Sequence, residues 1–97
     1  MIHIAPWNCT KSLFKESGKL LSKGQFLMLY GPFKINNNHT SESNYLFDKS
    51  LKTKNNNWGV RNLEEVCKEG RINGFIQKDL IQMPANNFAV IYRKISL

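Results

Sequence analysis

Two histidines, two cysteines and a set of asparagines in loops are the side chains of this sequence best suited to chemistry. His39 sits beside Thr40 at the end of the polar stretch Lys34-Ile35-Asn36-Asn37-Asn38-His39-Thr40. An imidazole that titrates near ~6.5 suits general-base work at neutral pH. A long polar loop of this kind is either a solvated connection or an active-site lid. His3 and His39 lie far apart, and neither has Cys or carboxylate company at ligand spacing, so no metal site is read. Cys9 and Cys67 are isolated and form no CxxC, which points to two reduced thiols rather than a disulfide. No serine has a nucleophile-elbow setting, and no glycine-rich phosphate loop is present. Asn86 and Asn87 follow Pro84-Ala85 and are first of all turn residues, with amides that reach a pocket if the turn borders one.

The elements that would position these residues follow from hydrophobic pattern. Residues 26–30 (Phe-Leu-Met-Leu-Tyr) are continuously apolar, which predicts a strand covered on both faces. Gly31-Pro32 ends it. Met1-Ile2-His3-Ile4 reads as the end of an earlier strand with Ala5-Pro6-Trp7 as its exit loop. Thr10 is the expected cap of a helix whose apolar face is Leu13, Phe14, Ser17, Leu20 and Leu21, closed by Gly24. Strand, helix and strand then make a right-handed βαβ unit. A second helix is expected from Ser43-Asn44 to about Lys54. A third starts at Asn62-Leu63-Glu64-Glu65, which has the form of a capping box, and ends at Gly74. Residues 75–83 and 88–92 read as two strands joined by Pro84-Ala85-Asn86-Asn87, an antiparallel pair. The fold class is therefore α/β: mostly parallel strands, an antiparallel C-terminal hairpin, and helices on the faces. Three loops, at residues 5–7, 31–40 and 83–87, converge on the carboxyl edge of such a sheet, a pocket-forming geometry.

A chain of 97 residues makes one small domain. No run reaches the length of a membrane span, and no secretory pattern opens the sequence, so a cytoplasmic protein is expected. The net charge is +7, which raises the possibility of nucleic acid as partner. The cations are mostly scattered lysines, however, and rise together with asparagine. That pattern fits coding bias better than a binding face.

Read in order, the chain resembles the C-terminal half of the methyltransferase-like 26 family, also called the domain-of-unknown-function 938 family. The resemblance is carried by Met1-Ile2-His3-Ile4-Ala5-Pro6-Trp7, Leu29-Tyr30-Gly31-Pro32-Phe33-Lys34, and His39-Thr40 with Ser43-Asn44. It continues through Phe47-Asp48 with Ser50-Leu51, Trp58-Gly59-Val60-Arg61 with Leu63-Glu64-Glu65-Val66, and Met83-Pro84-Ala85-Asn86-Asn87. That family is similar to class I S-adenosylmethionine-dependent methyltransferases. The resemblance implies strands four to seven of such a sheet, with the seventh antiparallel, and a place on the substrate side of the cleft. It implies S-adenosylmethionine as cofactor, bound weakly or not at all by this chain alone. The glycine loop and acidic residue that hold it would lie upstream of Met1, so a truncated or split product is expected. His3, Pro6, Trp7, Tyr30, Thr40, Asn44, Asn86 and Asn87 are the pocket candidates, and His39 is the candidate base. Each has a plainer alternative: a core imidazole for His3, packing for Trp7 and Tyr30, a helix cap for Asn44. Trp58 and Arg61 are expected to pin the loop. Partners would be a missing N-terminal half, or a second copy through an exposed strand edge; the methyl acceptor is left open.

Overall fold

The computed structural model describes residues 3 and 5–95. The expected first strand, and the βαβ unit it would open, therefore lie outside the described residues except for His3. The described elements are α1 (Trp7–Leu20), β1 (Phe26–Gly31), α2 (Glu42–Lys54), α3 (Leu63–Ile72), β2 (Phe75–Met83) and β3 (Asn87–Lys94), with a 3-10 turn at Pro84–Asn86. No helix among the described residues is long and apolar enough to cross a membrane.

The three strands form one sheet in the order β1-β3-β2, and both pairings are antiparallel. The expected hairpin of β2 and β3 is present, with a bulge between Gln77 and Asp79. Parallel pairing is not found among the described strands. Because β1 and β2 are each antiparallel to the central β3, they run in the same direction, and their C-terminal ends open on the same edge.

The double covering expected for β1 is not observed. Phe26, Met28 and Tyr30 are exposed and alternate with half-buried Leu27 and Leu29. The register places Met28 beside Ile91 and Tyr30 beside Ala89, with Ile81 of β2 following on the far side of Ala89. Among the described residues, this face is open at Phe26 and Met28, while Tyr30 borders the cleft it shares with Phe47 of α2 and Ala89 is buried. The opposite face carries Tyr92 and Val90, which join Phe14 of α1 and Val66 and Cys67 of α3 in the core. Phe14 stands edge-on to Tyr92 at 5.3 Å and tilted to Phe75 at 5.9 Å. An unbroken apolar run shows that two faces want covering; it does not show that this chain covers both.

Helix starts also differ from expectation. Pro6, not Thr10, precedes the first helical residue of α1, and the Thr10 hydroxyl is buried within the helix without a partner. The buried stripe runs through Thr10 and Phe14, while Leu20 is 81% exposed. Ser41, rather than Ser43 or Asn44, caps α2 by accepting from the Asn44 backbone N–H at 3.1 Å. The capping box of α3 does not form. Asn62 instead donates through Nδ2 to Asn37 Oδ1, and Glu64 accepts from the Asn36 N–H. Gly74, at φ +87, does close α3 in the left-handed region that favours glycine.

Candidate functional site

The polar stretch after β1 is ordered and tied down. Ile35 and Asn38 exchange two backbone hydrogen bonds of 3.0 Å around Asn36 and Asn37, both at positive φ. Asparagine tolerates that conformation better than most residues. Lys34 bonds through its backbone to Arg61 and Leu63, so the turn is stitched to the entry of α3. This delivers His39 and Thr40 to the start of α2.

Asn44 is the knot of the next layer. It is almost fully buried, and Nδ2 donates to Thr40 Oγ1 at 3.1 Å and to the Asn86 carbonyl at 3.0 Å. A carbonyl can only accept, so the amide nitrogen must face Asn86 and the orientation of the side chain is settled. The contact joins α2 to the β2–β3 turn. In that turn Ala85 and Asn86 both lie at positive φ, and Asn87 Nδ2 donates to the Pro84 carbonyl at 3.2 Å.

His3 completes the arrangement. Its Nδ1 accepts from the Arg61 backbone N–H at 3.0 Å, and its carbonyl accepts from the Gly59 N–H at 2.9 Å. A neutral ring with Nδ1 accepting carries its proton on Nε2. Burial, with the Arg61 charge adding to it, pulls the imidazole down to about 4, so at neutral pH the ring is uncharged. The ring meets Phe33 edge-on at 4.8 Å, and its Nε2 packs so closely on Gly31 that a Cβ there would sit 2.5 Å from it.

Between these parts lies a cleft of about 350 Å³. Its walls are His3, then Tyr30, Gly31 and Pro32 at the end of β1, Ser43, Asn44 and Phe47 on α2, and Ala85 and Asn87 at the hairpin turn. No lining side chain carries a formal charge at neutral pH. Of the residues singled out from sequence, His3, Tyr30, Asn44 and Asn87 line the cleft. Thr40 and Asn86 are exposed and outside the lining, and meet it as the hydrogen-bond partners of Asn44. Pro6 is exposed ahead of α1, and Trp7 is half-buried with the Arg61 guanidinium 5.6 Å from its ring centre. Arg61 also reaches the Ala5 and Asn57 carbonyls.

His39 is outside the cleft lining. Its Nε2 donates to Asp48 Oδ2 at 3.1 Å, and its Nδ1 is buried without a partner. The carboxylate company denied to His39 on sequence spacing is thus supplied by the fold. Asp48 is buried, accepts from the Val60 N–H at 2.8 Å and meets Lys52 at 3.2 Å. Burial pushes its carboxyl up, but the Val60 hydrogen bond and Lys52 outweigh this and hold it below the usual range. In the sequence Asp48 stood out only as part of the Phe47-Asp48 stretch that carries the family resemblance, with no role attached. Gly31, Pro32, Phe47 and Ala85 gave no chemical signal in sequence, because they shape the cleft by size and backbone.

A family model described as a protein of unknown function, DUF938, matches residues 1–94. The fold is also similar to solved methyltransferase structures. Human N-acetylserotonin methyltransferase in complex with SAM superposes with a TM-score of 0.85 at 11% identity, over 99% of this chain and 28% of that one. The crystal structure of LaPhzM gives a TM-score of 0.80 at 10% identity, over 98% and 28%. PigF with SAH gives 0.76 at 11% identity, over 97% and 28%. This chain therefore spans under a third of the length of the structures it matches. At these identities the likeness is one of fold.

Proposed function

The chain belongs to the DUF938 family, and from that premise we propose that it forms the acceptor-side wall of the cleft of an S-adenosylmethionine-dependent methyltransferase. The finer identification with the methyltransferase-like 26 family is part of the same reading. The observation that carries it is the cleft at the C-terminal ends of β1 and β2, walled by His3, Tyr30, Asn44 and Asn87. In open α/β sheets, ligands enter at that end of the strands. The methyl donor itself does not fit these residues. Its sulfonium, ammonium and carboxylate groups carry charge, buried charge needs partners, and the cleft lining offers none. We accordingly take the chain to be inactive by itself, with the donor held by residues outside it. His39, the base candidate from sequence, lies outside the cleft lining with Nε2 committed to Asp48 and Nδ1 buried, so we assign it no base role toward a ligand in this cleft.

Titration calorimetry of the 97-residue chain with S-adenosylhomocysteine tests this. Little or no heat is expected, and tight one-to-one binding overturns the reading. Co-expression with a glycine-loop half should yield a complex that gains cofactor binding.

A second reading is favoured by a separate observation, the open sheet face of Phe26, Met28, Tyr30 and Ile81. Contiguous exposed apolar surface marks an interaction site. On this reading the chain is a non-catalytic module that pairs through that face. Light scattering at increasing concentration separates the two: self-association favours the module, and a clean monomer counts against it.

A further inference from the structure

We propose that the cleft binds a neutral N–H or O–H donor carried on an apolar, ring-sized body, held by the side-chain oxygens of Asn44 and Asn87. This deepens the acceptor-side reading and rests on it for any role in methyl transfer. The argument starts from what the two amides have left. Asn44 gives both its Nδ2 hydrogens away, to Thr40 Oγ1 and the Asn86 carbonyl. Asn87 directs its Nδ2 to the Pro84 carbonyl. Because carbonyls only accept, neither amide can flip without facing oxygen with oxygen. Each side chain therefore keeps Oδ1 as its uncommitted atom, an acceptor, and both line the same cleft. Asn44 is only 5% exposed, so this acceptor is built into the wall rather than left on the surface.

The side-chain donors along the wall are the His3 ring, the Ser43 hydroxyl and the Tyr30 phenol. His3 holds its Nε2–H against Gly31 with essentially no accessible surface. Ser43 shares its hydroxyl with Ser41 at 3.0 Å. The Tyr30 phenol can donate or accept, so the two fixed amide oxygens of Asn44 and Asn87 are what bias the cleft toward a ligand that presents a donor. Charge argues for neutrality. With no carboxylate among the lining residues, an ammonium would lose its hydration without gaining a counter-charge. Tyr30, Pro32 and Phe47 supply the apolar walls, and a cleft of about 350 Å³ is at the small end of ligand pockets, the scale of one or two fused rings.

The test uses the ¹⁵N-labelled 97-residue chain and five indane probes: 5-aminoindane and 5-indanol as neutral donors, 5-methoxyindane and indane without a donor, and 2-aminoindane as its ammonium. The two neutral donors should bind at least ~10-fold more tightly than the other three, the scale of one or two hydrogen bonds. They should also shift the side-chain NH₂ signals of Asn44 and Asn87. Asn87→Ala, at a half-buried site, should cut that preference severalfold. If methoxyindane binds as well as indanol, if the ammonium binds best, or if no probe binds, the proposal is wrong. Cofactor binding is not measured here, so donor probes can bind while calorimetry sinks the methyltransferase reading, and the reverse.

Discussion

At the scale of single residues, three side chains carry checkable consequences. His3 is neutral in the fold with its imidazole lowered from 6.5 to about 4. The unfolded chain takes up a proton as pH falls below about 6.5, and the folded chain does not. Stability conferred by this group is therefore complete above pH 6.5 and declines until about pH 4, by on the order of 3 kcal/mol. Urea titrations at pH 7.5, 5.5 and 4.5 should show the decline, and His3→Phe should flatten it. Asp48 behaves differently, because its carboxyl is held low: its contribution is lost only as pH falls below the ordinary carboxylate range. Asp48→Ala strands the buried Val60 N–H and should cost about 1–3 kcal/mol in the urea midpoint. Asp48→Asn, which keeps an acceptor for Val60, should cost less. Ala85 sits at φ 61, where a Cβ costs about 1–2 kcal/mol. Ala85→Gly should therefore raise the midpoint by up to about 1 kcal/mol, an effect visible in thermal melts.

At the scale of elements, the contacts between segments decide more than the segments' own propensities. Gly70 on α3 faces Phe14 on α1, where an added Cβ would lie 3.1 Å from the ring. Gly70→Ala gains helix propensity of about 1 kcal/mol but requires the fully buried Phe14 ring to give way slightly. We expect the overpacking cost of about 1–3 kcal/mol to win, giving a net loss of stability by chemical denaturation. Element boundaries show the same competition. The third helix was legible because Leu63, Val66 and Cys67 repeat at helical spacing, yet its capping box failed, since the side chain of its N-cap Asn62 is turned to Asn37 and makes no cap hydrogen bond. Thr10 was misread as a cap because a hydroxyl before an apolar stripe looks the same whether it starts a helix or lies one turn inside it. The β2–β3 hairpin was legible at both ends, with Pro and Asn marking its turn.

At the scale of the whole molecule, the open sheet face is the dominant feature. Met28 and Tyr30 are 62% and 50% exposed, beside Ile91 and Ala89. A substitution on an uncovered face changes folding little, within about 0.5 kcal/mol. It changes association strongly if the face is buried in a complex. Met28→Lys should leave the urea midpoint of the isolated chain in place and abolish pairing with a glycine-loop half in co-purification. Retained pairing would mean that the face is not the docking surface.

Local composition determined the existence and type of nearly every described element here, because helical spacing, turn asparagines and β-branched or aromatic runs act over a few residues. His3, Asn44 and Asn87 were brought out as pocket candidates by the family resemblance, since their types alone fit a core imidazole, a helix cap and a turn residue equally well. Only the tertiary structure decided which of them share a wall, that His39 answers to Asp48 instead of the cleft, and that β1 lies uncovered on one side. Those outcomes depend on contacts between residues dozens of positions apart, and a side chain's hydrogen bonds are spent on whichever partner the fold brings nearest.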